Sequence, residues 1–440
     1  MNQLKRELGL FSCTMLVAGN MIGIGIFITA GRIYSTLPNP YYIFFAWVFG
    51  GLLSLIGALS YAELSTRFPR AGGGYVYLRE AFGPLFGFLA GFSSSMVTLP
   101  GTTAFLAIGV TKYAGFTDPF IAKTTAVLLI LSISYVNYRG VKWGSDLQNG
   151  FMLLKLSLIF ILIFAGFLFG NGSFEHFSMA KELPHSFWVV FPLCLVPIMY
   201  TYSGWDATVY IAGEIKNPTR NIPLASFYGT AMVMIIYLSL AALYIYGIPV
   251  VQENQTRIVT SVSRILFGGP MGSIIGGMVA VSVLGALSAT ILTAPRVMYA
   301  MAQDGLFPAQ AAEVHGTFYT PGKAIWFQCL WACLLALTGT FDQLLDYVTV
   351  PSVFFNAVVV VGLLKLRFQN KADVDAKPYL MLGYPILPIL FIFGMGWIVV
   401  NTIVKAPKDS IWGLLIVSLG VPIYFIVKKY TLPRKNIEKN

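Results

Sequence analysis

Three stretches of this 440-residue chain hold residue types that could bind a charged solute. The first is AGNMIGIGIF, Ala18 to Phe27, where Gly19, Asn20, Gly23 and Gly25 interrupt an apolar run long enough to cross a membrane. The second, Thr201–Tyr202–Ser203–Gly204–Trp205–Asp206, puts a polar, glycine-containing patch in the middle of another apolar run, behind Pro192 and Pro197. The third is a single lysine, Lys155, inside FMLLKLSLIF. Each interior glycine weakens a helix by about 1 kcal/mol relative to alanine. A spanning helix interrupted at its midpoint bares N–H groups at the start of its second half and carbonyls at the end of its first. The N–H groups attract an anion and the carbonyls a cation. In lipid such groups must be satisfied, so a break persists only where it lines a cavity. Gly19 and Gly23 also form a GxxxG, which could instead be a close helix-packing face.

The elements that must hold these stretches follow from composition. Hydrophobic residues make up 57% and charged residues 11% of the chain, with mean hydropathy +0.74. A soluble protein would be about a quarter charged. The apolar residues fall in blocks of about 20, the length that crosses a hydrocarbon core. The pattern predicts an all-α integral membrane protein with twelve transmembrane helices, at 10–35, 41–64, 83–110, 119–137, 147–169, 187–212, 222–247, 271–302, 323–340, 344–364, 384–404 and 411–428. No connection is long enough to bury a core of its own, so residues 1–440 read as one membrane domain.

Lysine and arginine set the orientation. With the N-terminus inside, 20 of the 29 basic residues fall in cytoplasmic segments and 8 outside, which predicts both termini in the cytoplasm. The net charge of +11 then needs no nucleic acid; a basic tail facing anionic lipid accounts for it. The N-terminus lacks a cleavage signal, so the first helix is expected to be retained. Cys13, Cys194, Cys329 and Cys333 lie within predicted spans and read as small apolar fillers, with no structural disulfide. The histidines, His176, His185 and His315, sit in connections and form no catalytic or metal-binding cluster with cysteine or aspartate. An enzyme is therefore disfavoured, and no cofactor or metal is expected.

The interruptions at spans 1 and 6 lie five helices apart, so the two helices cross in opposite directions. Paired breaks in two such halves are the best sequence pointer to a transporter's central site. YAELSTRFPRAGGGYVYLREAFGPLFGFLAGF (61–92), YSGWDATVYIAGEIKNPTRNIPLA (202–225) and PRVMYAMAQDGLFP (295–308), with the GxG of span 1, resemble the signatures of amino-acid permeases of the APC superfamily. Within it the chain is most similar to the L-type (LAT) exchangers, including bacterial exchangers of alanine, serine and cysteine. The resemblance implies a LeuT-like fold: a 5+5 inverted repeat of 1–171 and 187–366, broken helices 1 and 6, and peripheral helices 11–12 at 384–428.

It also implies the site. The substrate carboxylate would meet the N–H groups of Gly23, Ile24 and Gly25 with Ile26, and the ammonium the carbonyls of Met21, Tyr200 and Ser203. Ile24 departs from the serine or threonine common at its position. Ser203 resembles members that prefer small neutral amino acids, and Tyr200 matches an aromatic outer gate. Lys155 would stand where sodium-coupled relatives hold a cation between helices 1 and 8, bracing the helix 1 break; it lies roughly 12 Å from the near end of its span at 1.5 Å per residue, within reach of snorkelling. Tyr237 could join that network or be an ordinary core tyrosine. Asp206 is expected to cap and gate the second half of helix 6, with Asn20 and Trp205 beside it. Glu63 and Glu214 fall near cytoplasmic ends, where charge is ordinary.

The implied activity is sodium-independent exchange of small neutral L-amino acids (alanine, serine, cysteine, glycine) across the plasma membrane by alternating access; the alternative is a proton-coupled permease of the same fold. Animal LATs carry a cysteine in the loop between helices 3 and 4 that tethers a partner glycoprotein. TKYAGFTD (111–118) has none, so no disulfide-linked ancillary subunit is expected.

Overall fold

The computed structural model describes residues 4–183, 187–250, 258–268, 271–339, 341–373, 378–405 and 407–431. Of the basic residues used for orientation, Arg257, Lys377, Arg434, Lys435 and Lys439 lie outside them, as does His185. Every predicted interval carries helix. In order these are α1 (Leu10–Met21), α2 (Gly25–Thr36), α3 (Pro40–Arg67), α4 (Gly74–Phe82), α5 (Pro84–Ser93), α6 (Leu99–Tyr113), α7 (Pro119–Tyr138), α8 (Val141–Phe169), α9 (Phe187–Thr201), α10 (Ala207–Tyr210), α11 (Pro218–Gly247), α12 (Ile258–Phe267), α13 (Met271–Thr293), α14 (Pro295–Gln303), α15 (Gly322–Thr338), α16 (Phe341–Phe368), α17 (Ile386–Lys405) and α18 (Pro407–Thr431). Among the described residues, seven spans are long and apolar enough to cross a membrane, and eight if the bent pair α1–α2 counts as one. The chain is thus a multi-pass, all-helical membrane protein.

The first interruption is where the glycines put it. After Met21 the chain leaves the helix for Ile22, Gly23 and Ile24, and α2 sets off at 47° to α1. Span 6 differs from the single interrupted helix over 187–212. Helix α9 runs through Pro192 and Pro197 to Thr201, but beyond the turns at 202–206 only one helical turn, α10, and a 3-10 turn at Ala212–Glu214 follow. Gly204 sits at φ +101°, a left-handed conformation that side chains resist.

The third predicted span, 83–110, is one continuous run of helix with an irregular turn that the hydropathy pattern hides. Between α5 and α6, Ser94–Thr98 forms a π-helical turn. Pro100 explains it: the ring has no N–H to give and collides with the carbonyl four residues back, which is Met96. The Trp331 indole donates to that carbonyl at 2.8 Å.

The N-terminal end of the molecule is tied by backbone and charge. Leu8 and Ile215 form a parallel β-bridge. The Glu7 and Leu8 N–H groups donate to the Glu214 carbonyl at 2.9 and 3.1 Å, and Lys216 donates back to Leu8 at 2.9 Å. Glu63 and Glu214, expected as ordinary interfacial charges, are instead fully buried. Arg296 grips Glu214 with two bonds of 3.0 Å, and neither side chain is exposed. Arg67, Arg367 and the Met381 N–H converge on Glu63. An unpaired carboxylate could not stay buried, so these pairings are what keep both charges inside.

Candidate substrate site between two interrupted helices

The two interruptions meet. A Cβ added at Gly25 would lie 2.8 Å from Thr201 Cα, so only glycine lets the start of α2 approach the end of α9 this closely. On the other side Asn20 Nδ2 donates to the Gly204 carbonyl at 3.3 Å, while Asn20 Oδ1 accepts from Thr290 Oγ1 of α13 at 3.2 Å. Asn20 thereby joins three elements. The Tyr237 hydroxyl of α11 reaches the Met21 carbonyl at 2.8 Å and the Thr201 carbonyl at 3.1 Å, touching the last residue before each break. Tyr237 thus holds a carbonyl at the α1 break while sitting fully buried in the core.

Lys155 does not snorkel. It is 1% exposed, and its ammonium donates to the Gly19 carbonyl at 3.0 Å and, by a very short bond, to the Ile22 carbonyl. Ser282 of α13 donates to the Gly23 carbonyl at 3.2 Å. A Cβ at Gly285 would sit 3.0 Å from Lys155 Cε, so the lysine lies against α1 and α13 together. The end of α1 thus has its freed carbonyls satisfied by a cation, a phenol and a hydroxyl. The GxxxG reading is half right: Gly19 packs against Gln148 and Met152 of α8, whereas Gly23 meets only Ala286 at 3.5 Å.

Between the breaks lies a cavity of about 150 Å³. Asn20, Met21, Gly23, Ile24, Gly25, Tyr200, Ser203, Trp205 and Asp206 all line it. Ile26 does not; it is buried in the core, with Lys155 and Tyr237 standing behind the lining. No acceptor for the N–H groups of Ile24, Gly25 and Ile26 is found among the described backbone, as expected at the start of a helix. The ammonium acceptors are busier. The Tyr200 carbonyl takes both the Ser203 N–H at 3.1 Å and its hydroxyl at 2.7 Å, and the Met21 carbonyl takes Tyr237 and the Gly23 N–H. The Ser203 hydroxyl is the movable one among these donors.

Asp206 departs from its expected part. It stands at the N-cap position of α10, yet its side chain makes no capping bond and instead accepts from the Tyr210 hydroxyl at 2.9 Å. A single helical turn offers little to cap. Trp205 is buried edge-on to Tyr61 and Phe391, at centroid distances of 4.9 and 6.0 Å.

Sequence reasoning missed part of the wall: Thr98 of the π-helical turn, Phe105 of α6, Thr290 and Thr293 of α13, and Asn356 of α16. The signal for Thr98 was Pro100, whose π-helical turn puts it at the cavity. Asn356 had none; its amide oxygen accepts from Tyr61 at 2.9 Å, a contact between residues far apart in the chain.

Apolar spans, two chain breaks meeting in mid-molecule and a small, largely apolar cavity with a few polar groups between them define a membrane transporter. The chain belongs to the amino acid permease family of the APC superfamily, whose model matches residues 8–427. It is similar to the serine/threonine exchanger SteT of Bacillus subtilis (strain 168), at 30% identity over 97% of this chain and 98% of that one. It is also similar to the b(0,+)-type amino acid transporter 1 of Mus musculus, 28% identical over 97% of this chain and 89% of the relative. The large neutral amino acids transporter small subunit 2 of Oryctolagus cuniculus is 28% identical over 96% and 80%. These relatives are named as transporters and exchangers, not enzymes.

Proposed function

We propose that the protein is a sodium-independent antiporter that exchanges small neutral L-amino acids across the plasma membrane by alternating access. In this reading it has twelve spans, both termini in the cytoplasm, an inverted pair of five-helix repeats at 1–171 and 187–366, peripheral helices at 384–428, and no disulfide-linked partner. The observation that carries the proposal is the meeting of the two interrupted helices at one cavity, with an ammonium already seated on the carbonyls of the first. Free N–H groups at Ile24 and Gly25, which line the cavity, suit a carboxylate. Carbonyls of Met21, Tyr200 and Ser203 suit an ammonium, the Ser203 hydroxyl turning aside to release Tyr200. The cavity is smaller than the roughly 300–1,000 Å³ typical of drug-sized ligands, which supports a small substrate. Lys155 supplies the positive charge that a sodium ion would otherwise bring, so no ion need accompany the substrate.

Exchange follows if the empty carrier reorients slowly, because without substrate the bare N–H groups must cross between states unsatisfied. The test is radiolabelled alanine uptake into proteoliposomes, with and without internal alanine, with and without sodium, and across a pH step. Rapid uptake only with internal amino acid, indifferent to sodium, is expected. Robust uptake into empty vesicles driven by an inward proton gradient would overturn exchange in favour of a proton-coupled permease, and sodium dependence would overturn the part given to Lys155.

A further inference from the structure

Toward the N-terminal end of α8 from Lys155, the packing against α1 and α13 is polar and incompletely paired. An ammonium has three N–H donors. Two of Lys155's reach Gly19 and Ile22, and the third meets no acceptor among the described residues. Gln148 lies two helical turns away on the same helix and is 1% exposed, and among the described residues neither its amide oxygen nor its amide nitrogen has a hydrogen-bond partner. That amide lies against the same residue the ammonium holds: a Cβ built at Gly19 would fall 2.1 Å from Gln148 Nε2.

The facing helix adds to the set. Gly285 of α13 abuts Lys155, and Leu292 lies 3.1 Å from a Cβ built at Gly144. Ser288 sits between them at helical spacing and is fully buried, and its hydroxyl has no partner among the described residues. Asn137 Oδ1 of α7 also has no partner among the described residues, and it lies against Gly144, which is one turn of α8 before Gln148. Leaving a buried donor or acceptor unmade costs about 1–3 kcal/mol each. Neighbouring buried polar groups of this kind are held by bound water, which makes about three hydrogen bonds.

We propose that this seam between α8, α1 and α13 is a built water site. One water accepts the third Lys155 N–H, donates to Gln148 Oε1 and bonds the Ser288 hydroxyl. Further water accepts from Gln148 Nε2 and donates to Asn137 Oδ1, carrying the line to the end of α8. Gly19 and Gly144 are the glycines that make room for the two amides. The ammonium is then hydrated from one side only, whichever solute the cavity carries.

Hydroxyl-radical footprinting by X-ray pulse tests this, because radicals form from bound water and oxidise the side chains beside it. The full-length protein in lipid nanodiscs is the sample. Met152 is the reporter: it is 0% exposed and its sulfur lies 3.6 Å from the position of a Gly19 Cβ. Met298, also 0% exposed but set among Ala302, Ala311 and Ala324, is the dry control. Met152 is expected to oxidise several-fold faster than Met298 in the parent, and the double variant Gln148→Leu, Ser288→Ala is expected to bring it down to the control rate. Equal rates in the parent would overturn the proposal, as would an unchanged Met152 rate in the folded variant. Should the variant fail to fold, the comparison within the parent decides alone.

Discussion

Replacing Gly25 with alanine is expected to wedge the two chain breaks apart. The new methyl would lie 2.8 Å from Thr201 Cα, 3.0 Å from its Oγ1 and 3.1 Å from its Cβ, all inside ordinary contact. Thr201 cannot step back. Its hydroxyl is held by Thr29 Oγ1 at 2.8 Å and by the Pro197 carbonyl at 2.8 Å, and its own carbonyl accepts from Tyr237. Forcing a methyl into packing of this kind costs about 1–3 kcal/mol, seen as a fall of a few degrees in Tm. Because the nearest atom is Cα, trimming the side chain with Thr201→Ala should not rescue the loss. Gly23→Ala is the counterpart. Its methyl would meet only the Ala286 Cβ at 3.5 Å, an ordinary distance, at a residue lining the cavity. That variant should melt like the parent while transport falls, since a carboxylate kept from one backbone N–H loses a charge-assisted bond of about 1.5–3 kcal/mol, or roughly tenfold and more in affinity. The assays are thermal melting of the purified protein and alanine exchange in proteoliposomes. A Gly25→Ala protein with parental Tm refutes the close-packing argument; a Gly23→Ala protein with parental exchange refutes the backbone cradle.

Lys155→Ala should leave a folded protein that turns over several-fold more slowly and still ignores sodium, read by exchange rate at saturating alanine; parental turnover would remove the brace from the mechanism. Ser203→Gly deletes the hydroxyl that occupies the Tyr200 carbonyl and widens the cavity, so the ratio of leucine to alanine exchange should rise, and an unchanged ratio would put selectivity elsewhere. Arg296→Leu leaves Glu214 buried without its partner, at a cost of about 3–5 kcal/mol, and should show as lost expression or a sharply lowered Tm, whereas a surface pair of the same length would move neither. On the N-terminal-end surface, burial raises the Glu80 carboxyl, but hydrogen bonds from Arg79 and Lys371 and the charge of Arg79 and Arg70 outweigh it and hold the group down to about 2. A carboxyl lowered on folding stabilises above its ordinary value near 4.5 and ceases to as pH falls toward 2; melting across that window should therefore steepen in the parent and flatten in Glu80→Gln.

What the sequence made legible was local. Glycines at 19, 23, 25 and 204 and the lysine at 155 are read one residue at a time, and each sits at the break or brace it announces. Gly25 is instructive, since its type was read correctly while its neighbour was not: the atom it makes room for is Thr201 Cα, 176 positions along the chain. Long-range pairings were the part that spacing could not reach. Glu214 with Arg296, Tyr61 with Asn356, and Asn20 with Thr290 each join distant helices, and no periodicity marks them. Asp206 failed for another reason: the capping argument assumed a helix after it, and the chain supplies one turn.

The β-bridge between Leu8 and Ile215 bears on how often the N-terminal end can open. Its three backbone hydrogen bonds fasten the segment leading into α1 to the segment leaving α10. At a net 0.5–1.5 kcal/mol apiece, separating them costs roughly 1.5–4.5 kcal/mol. A gap of a few kcal/mol keeps the minor state of a two-state protein at about 0.1–10% of molecules. In the exchange cycle proposed above, these three bonds alone would fall in the range where an opened form is rare but present at equilibrium, and where a solute favouring one form by a few kcal/mol is enough to exchange the majority species.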